Sequence, residues 1–274
     1  MPIKTINHQT EFQPINPTDQ VTVFQTPRYT EIIDSKNFQK NNLNFIPTKK
    51  IDKDHFIDTR TGEIKEYNKT STKNISSFKE SFKDVPRYIK GFFYGDDTER
   101  FVTLTYSEFM SEPERLSKDF QKFLNKLKRR YGKLRYFYIK EPDTRGSWHI
   151  HSLIKRLDGQ SFNITDDSVR KLWKRGIAVN VQKINNVNTM SYYFDITRYE
   201  NKIQRISFYP TGMKIYSCSA DMNITKLRTK YSNIKKYIGD KELTYRRTDN
   251  VIMNHNDGIN NLIGRNSYEQ YTKR

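Results

Sequence analysis

Hydrophobic and polar positions follow two different periods along the chain, mainly between residues 100 and 238. Runs of alternating, β-branched or aromatic residues predict strands, and these lie at Phe101–Tyr106, Leu134–Lys140, Trp148–Lys155, Ile177–Val181, Arg205–Tyr209 and Lys214–Ser217. Apolar residues at helical spacing, with capping residues and glycine stops, predict helices. These begin near Ser111, Thr165 and Val187 and end near Tyr131, Gly176 and Tyr199, and a basic helix is predicted over Ile224–Ile238.

The order strand, helix, strand, strand, helix, strand, helix predicts an α+β fold, in which helices pack on an antiparallel β-sheet. Residues 1–85 are predicted to be an N-terminal extension, a partly ordered arm with a small hairpin at Phe56–Ile64. Residues 86–220 are predicted to form the main folded domain. Residues 221–274 are predicted to hold the basic helix and, from about Asp249, a mobile tail rich in Asn and Gly.

Positive charge is concentrated in the larger, C-terminal part of the chain. The net charge is +18, of which residues 86–274 carry +16, with 36 Lys and Arg against 20 Asp and Glu. A strongly basic domain attracts polyanions, so nucleic acid is the predicted partner. Cys218 is the only cysteine, which is compatible with a reducing cytoplasm. No apolar run approaches the ~20 residues of a membrane helix, and no long amphipathic basic helix with a Trp/Leu face is evident, so no membrane partner is expected.

Two histidines lie two residues apart in the predicted strand Trp148–Lys155. Side chains alternate faces in a strand, so His149 and His151 project to the same side. Glu141 precedes them, separated by a turn-forming stretch that predicts a hairpin, which would place the glutamate beside His149. Two imidazoles and one carboxylate suit a divalent cation with open positions. An isolated His-x-His is more often a pair of structural or surface histidines, and this alternative stays open.

Tyr192 and Tyr193 lie on a predicted helix later in the chain. A metal ion can polarise a phosphodiester oxygen, and a tyrosine oxygen can then attack phosphorus and form a covalent phosphotyrosyl link. The chain has 18 tyrosines, most of which must be core or surface residues. The residues alone therefore do not select one of them.

Several motifs, in order, resemble those of the HUH endonucleases, and among them the rolling-circle replication initiators of small bacterial plasmids and phages. The resemblance covers about residues 56–220. It is carried by the strand Phe101–Tyr106, the His-hydrophobic-His run within Gly146–Ile154, the segments Leu172–Gly176 and Val179–Ile184, the stretch Asn186–Tyr193, and the later segments Phe208–Met213 and Tyr216–Ser219. Glu141 stands where related initiators carry an acidic third ligand.

The resemblance implies a sheet related to ferredoxin-like and RRM folds, with residues 86–220 as the nicking domain. It implies Glu141, His149 and His151 as ligands of Mg²⁺ or Mn²⁺, and Tyr193 as the nucleophile. Many members carry a second tyrosine four residues later, where this chain has Thr197, which favours a single nucleophile. Tyr192 and Tyr199 remain alternatives for that role.

The function implied is nicking and rejoining of single-stranded origin DNA, which starts rolling-circle replication in the cytoplasm of a bacterial host. The predicted partners are single-stranded DNA and an origin hairpin. Because the chain lacks a Gly-x-x-x-x-Gly-Lys-Ser/Thr phosphate loop, a host helicase is expected besides the polymerase. A relaxase or single-strand transposase with the same chemistry is one alternative, and a non-catalytic nucleic-acid-binding protein is another.

Overall fold

The computed structural model describes residues 3–9, 11–38, 48–52, 55–59, 61–66, 75–176, 178–194, 204–254 and 260–273. Within them the protein has an α+β fold of antiparallel sheets with helices packed on them, as the sequence predicts. None of the described helices combines the length and apolar character that crossing a membrane needs.

The described strands form three sheets. They are β1 (Ile3–His8), β2 (Gln20–Gln25), β3 (Tyr29–Asn37), β4 (Thr48–Lys50), β5 (His55–Asp58), β6 (Ile64–Glu66), β7 (Glu99–Leu104), β8 (Leu134–Pro142), β9 (Trp148–Arg156), β10 (Val179–Gln182), β11 (Tyr216–Cys218), β12 (Thr225–Lys230), β13 (Glu242–Asn254) and β14 (Asn260–Thr272).

The described helices are mostly short. They are α1 (Ile75–Phe82), α2 (Val85–Phe92), α3 (Pro113–Tyr131), α4 (Asp166–Trp173), α5 (Val187–Phe194) and α6 (Lys235–Ile238), with 3₁₀ turns at Gln204–Phe208 and Tyr231–Asn233.

The chain divides into two compact units. One comprises residues 1–24, 30–71 and 226–274, and the other comprises residues 25–29 and 72–225. The predicted boundaries after residues 85 and 220 differ from this division and stay a prediction about function.

The larger unit is built on a five-stranded sheet in the order β10-β7-β9-β8-β11, with antiparallel neighbours. Helix α3 covers one face, where Phe120 contacts Tyr138 with ring centroids 4.4 Å apart. Helix α5 covers the other face, where Phe194 contacts Phe101 and Phe137. The sheet is therefore buried on both faces, which explains the near-continuous apolar runs of its central strands.

Helices α3 and α4 begin and end close to their predicted limits. Pro113 occupies the first turn of α3, and Gly132, with a φ of 80°, ends it. Ser111 and Glu114 have the spacing of a capping box, which does not form here, because the helix is preceded by Glu112, whose side chain makes no capping bond. In α4 the hydroxyl of Thr165 accepts a hydrogen bond from the Ser168 amide, as an N-cap residue does.

The other unit contains a six-stranded sheet in the order β1-β13-β14-β3-β2-β12 and the small sheet β4-β5-β6. Val21, Val23 and Ile32 are fully buried in it. Strands β5 and β6 form the hairpin that the sequence predicts near Thr61 and Gly62. The described strands β2 and β3 thus occupy part of the segment for which the sequence predicts a partly ordered arm.

The predicted basic helix over residues 224–238 is wrong, because Thr225–Lys230 is a strand. Its burial alternates with a period of two, and Leu227 and Thr229 lie on the less exposed side. The predicted tail after Asp249 is also wrong for the described residues. Strands β13 and β14 pair with each other there, and most of their buried side chains are polar, including Thr248, Asp249 and Ser267, beside the apolar Val251 and Ile263.

The predicted strand over Arg205–Tyr209 is a 3₁₀ turn instead. Alternation of Ile206 and Phe208 with polar residues suggests a strand, but the Tyr209 amide donates to the Ile206 carbonyl and curls the chain. Tyr209 is then buried against Trp148. This turn brings Arg205 to the site described below.

Candidate active site

A tight turn joins β8 to β9 and sets the register of the site. The Asp143 carboxylate accepts hydrogen bonds from the amides of Arg145 and Ser147, a common use of Asp in turns. In the resulting register Glu141 lies directly opposite His149. The hairpin predicted from the turn-forming residues is present, and it places the carboxylate next to the first imidazole.

Glu141, His149 and His151 form a group in which one ligand atom of each lies within 4.8 Å of the others, so they could hold a metal ion. The two histidine Nε2 atoms are 3.0 Å apart, and His151 Nε2 is 3.6 Å from Glu141 Oε2. Glu141 and His151 are buried, while His149 is half-buried. The sequence-predicted ligands therefore converge.

Burial lowers the pKa of the His149 imidazole, against the opposing effect of the Glu141 carboxylate. An imidazole must be neutral to offer a lone pair to a metal ion. The lowered pKa keeps His149 in that form at neutral pH.

Helix α5 places Tyr193 beside this group. The Tyr193 hydroxyl lies 3.4 Å from His151 Nδ1, and the two rings are perpendicular with centroids 5.3 Å apart. Phe101 fixes both rings, since it stacks on His151 and meets Tyr193 edge-on at 5.2 Å. The predicted nucleophile thus contacts one predicted ligand, His151, through Nδ1, whereas Nε2 of that ring faces His149 and Glu141.

The two alternative tyrosines are placed differently. Tyr192 precedes Tyr193 on α5 and is 47% exposed; successive helix residues point about 100° apart, so the two phenols diverge. Tyr199 lies outside the described residues, as do Thr197 and the second half of the predicted helix.

Two residues of the site were not anticipated from the sequence. Thr103 pairs in register with His151, and its Oγ1 lies 3.0 Å from His151 Nδ1. Its place in a strand next to β9 was a usable indication, because residues opposite each other in antiparallel strands share a face. Arg205, which is 64 residues from Glu141, left no comparable indication in the sequence.

Arg205 reaches the site from the 3₁₀ turn. Its Nη1 lies 3.2 Å from Glu141 Oε1 and donates to the Pro142 carbonyl at 3.0 Å. Its Nε is buried and has no hydrogen-bond partner in the described part of the chain. The guanidinium therefore holds one oxygen of Glu141, while the other oxygen faces His151.

Comparison with known protein families gives one finding. The family model described as replication-associated protein ORF2/G2P matches residues 99–204, which is less than half of the chain. The matched range contains β7–β10 and α3–α5, and hence Glu141, both histidines and Tyr193. The similarity supports a replication-associated, DNA-binding protein. Searches of curated proteins and of solved structures gave no match.

Proposed function

We propose that the protein is a replication initiator that nicks and rejoins single-stranded origin DNA through a 5′-phosphotyrosine intermediate. The observation that carries the proposal is the contact between the Tyr193 hydroxyl and His151, within a group that also holds His149 and Glu141. The family match to residues 99–204 supports the replication role.

The donor set fits a divalent cation, for which we propose Mg²⁺ or Mn²⁺. Two imidazole nitrogens 3.0 Å apart, beside a carboxylate, are a donor set that would hold such an ion. Such an ion, when bound, polarises a phosphodiester oxygen and neutralises charge that develops on it. Arg205 holds Glu141 in a fixed orientation through the contact of its Nη1 with Oε1.

His151 links the ligand group to the proposed nucleophile. A histidine that uses Nε2 as a ligand carries its proton on Nδ1 and donates it to a neighbour. Here Thr103 Oγ1 and Tyr193 Oη both face Nδ1, at 3.0 and 3.4 Å. The N–H group orients the imidazole through Thr103 and stabilises negative charge on the phenolic oxygen of Tyr193.

In the proposed step the Tyr193 hydroxyl loses its proton to water, its oxygen attacks phosphorus, and a new O–P bond forms. The bond from phosphorus to the 3′ oxygen breaks, and that oxygen keeps the electron pair and takes up a proton. The free 3′ hydroxyl is a primer for a polymerase. Rejoining is the reverse reaction, in which a 3′ hydroxyl attacks the phosphotyrosine, so no further energy source is needed.

The charge of the larger unit supports a DNA substrate. Its residues, 25–29 and 72–225, include 29 Lys and Arg against 17 Asp and Glu, a net of +12. Backbone phosphates attract such a surface without regard to sequence. We further propose a host helicase and polymerase as partners, since strand separation and extension must follow the nick.

The test uses a fluorescent single-stranded oligonucleotide carrying the origin hairpin, incubated with the protein and Mn²⁺ and run on a denaturing gel. A covalent protein–DNA band is expected, and chelation should remove it. Tyr193→Phe should abolish the band and leave DNA binding within about twofold, because only the hydroxyl is lost. Tyr192→Phe is the matched control and should retain the band.

The same gel separates the proposal from a non-catalytic binder and from the other candidate tyrosines. A non-catalytic nucleic-acid-binding protein gives no covalent band under any condition, which would contradict the proposal. A band that persists in Tyr193→Phe but disappears in Tyr192→Phe or Tyr199→Phe would show that the nucleophile is Tyr192 or Tyr199, respectively. A relaxase or transposase shares the chemistry, but relaxases generally place the tyrosine before the histidines, whereas Tyr193 follows them.

A further inference from the structure

A cavity of about 410 Å³ lies between α3 and the end of α4. Its lining includes five cationic side chains and one carboxylate, which are Lys122, Lys126, Arg129, Lys174, Arg175 and Asp119. The three cations of α3 are spaced at i, i+4 and i+7, so they share one face of that helix. The cavity is therefore a positively charged recess in the surface.

The single carboxylate is already neutralised. Asp119 is buried and lies 2.9 Å from Arg175 Nη2 and 3.4 Å from Arg115 Nε. Lys126 Nζ donates to the Leu172 carbonyl, which ties α3 to α4. Lys122, Arg129 and Lys174 remain as exposed cations at the mouth of the cavity, and together they can attract an anion.

The backbone of Lys174 has a strained, left-handed conformation. It is the one non-glycine residue with positive φ in the described part of the chain, with a φ of 58° directly after α4. Helices commonly end on a residue in this left-handed conformation, and that residue is usually Gly, because a Cβ atom is disfavoured. Lys174 therefore places a cationic side chain at a position where glycine would be less strained.

The recess lies on the other side of the sheet from the Glu141 group. Helix α3 packs on Tyr138, which pairs with Ser152, and Ser152 points to the face opposite His151. The aromatic residues that line the recess, Phe123 and Trp173, are buried and present no ring on which a base could stack. Single-strand sites use such stacking, so this recess suits a phosphate backbone alone.

We propose that the recess between α3 and α4 binds the phosphate backbone of paired DNA, with Lys122, Arg129 and Lys174 as its contacts. The choice of DNA as the polyanion rests on the proposed function. Paired DNA next to the nicking position would then be held on one face of the sheet while the single strand reaches the tyrosine on the other.

The decisive variant is Lys174→Gly, because its thermal stability should rise while its affinity for duplex DNA should fall. Relief of the left-handed strain should raise Tm by about 2–4 °C. Loss of one phosphate contact should weaken binding of a blunt hairpin duplex about three- to tenfold. It should also reduce the slope of log K against log salt by about 1. Lys133→Ala, which removes an exposed lysine outside the recess, should change none of these quantities.

Lys122→Glu together with Arg129→Glu should weaken duplex binding further. At saturating concentrations of a short hairpin-free single strand, the rate of covalent adduct formation should be unchanged in every variant. Duplex affinity that is unchanged in Lys174→Gly and in the double variant would overturn the proposal. So would a loss confined to single-stranded DNA. The wild-type protein could form no adduct while the variants weaken duplex binding as described. That result would contradict the proposed function but support the duplex-binding site.

Discussion

His151 uses its two ring nitrogens toward different neighbours. Nε2 faces His149 and Glu141, and Nδ1 faces Thr103 and Tyr193. Only the alternation of faces in a strand was needed to predict that His149 and His151 share a side. The partner of Nδ1 depends on which strand lies next to β9, and no local pattern states that.

Arg205 positions Glu141, and its removal should weaken metal loading. In Arg205→Ala the carboxylate loses its 3.2 Å contact and can rotate away from the histidines. Loss of a partner that orients a ligand typically costs 10- to 100-fold in metal affinity or activity. We therefore expect the Mn²⁺ concentration for half-maximal adduct formation to rise about tenfold or more.

The matched control for Arg205→Ala is Arg145→Ala, which removes an arginine that is exposed at the hairpin turn. It should leave the Mn²⁺ requirement unchanged. An Arg205→Ala protein with the wild-type requirement would contradict the positioning role.

At the scale of elements, local patterns located the hairpin β8–β9 and the helices α3 and α4. Turn residues, caps and periodicity act over a few residues, so the sequence contains that information. The 3₁₀ turn at Gln204–Phe208 was missed because it is fixed by distant contacts, such as Phe208 against Gly146. The absence of a Cβ at Gly146 leaves the space that the Phe208 ring fills.

Strand β7 begins with a buried ion pair, and its disruption should lower the free energy of unfolding. Glu99 is fully buried, lies 2.5 Å from Lys155 Nζ and accepts hydrogen bonds from the amides of Tyr94 and Gly95. Glu99→Ala leaves the buried lysine without its main counter-charge, which costs about 3–5 kcal/mol. Urea unfolding should show that loss.

The control for this ion pair is Glu108→Ala, which breaks an exposed pair with Arg115. Exposed pairs contribute little to stability, because water and salt screen the two charges. Equal stabilities of Glu99→Ala and Glu108→Ala would show that the buried pair does not stabilise the strand.

The C-terminal hairpin β13–β14 was not predicted because most of its buried side chains are polar. Glu269 is buried and accepts hydrogen bonds from the hydroxyls of Tyr231 and Tyr271. Hydrophobic periodicity detects apolar faces, so a strand that buries such groups resembles a polar tail in sequence.

This polar interior predicts a dependence of stability on alkaline pH. Burial, followed by the Glu269 carboxylate, raises the pKa of Tyr231 to about 12. In the unfolded chain a tyrosine loses its proton near pH 10, while the folded protein still retains it. The free energy of unfolding should therefore fall as pH rises from about 10 to about 12.

Urea unfolding at several pH values measures this dependence. Tyr231→Phe should make the decline between about pH 10 and 12 shallower, since that group no longer titrates in the unfolded chain. A decline as steep as that of the wild-type protein would contradict the assignment to Tyr231.

At the scale of the whole molecule, the α+β class followed from the order of elements, and the structure confirms it. The pairing of β1 with β13 could not be predicted from the sequence, because it joins residues separated by more than 240 positions. Local propensity and spacing do not determine which distant strands meet. The site was easier to predict from the sequence, because three of its four predicted residues lie within eleven positions, from Glu141 to His151.

Net charge is a property of the whole chain, and it predicts how DNA binding responds to salt. Contacts between cations and phosphates release counterions, so affinity falls with salt concentration. With a net charge of +18, affinity for a single-stranded oligonucleotide should fall about tenfold or more when the salt concentration rises fourfold. Fluorescence anisotropy measures this affinity. An affinity that does not change with salt would contradict electrostatic contacts between the protein and the DNA phosphates.

The most direct measurement is mass spectrometry of the protein after reaction with origin DNA and Mn²⁺, nuclease trimming and protease digestion. The proposed mechanism predicts that the peptide containing Tyr193 gains the mass of a 5′-linked nucleotide, and that fragmentation places it on that side chain. A nucleotide on another residue, or cleaved DNA with a free 5′ phosphate and no modified peptide, would contradict it.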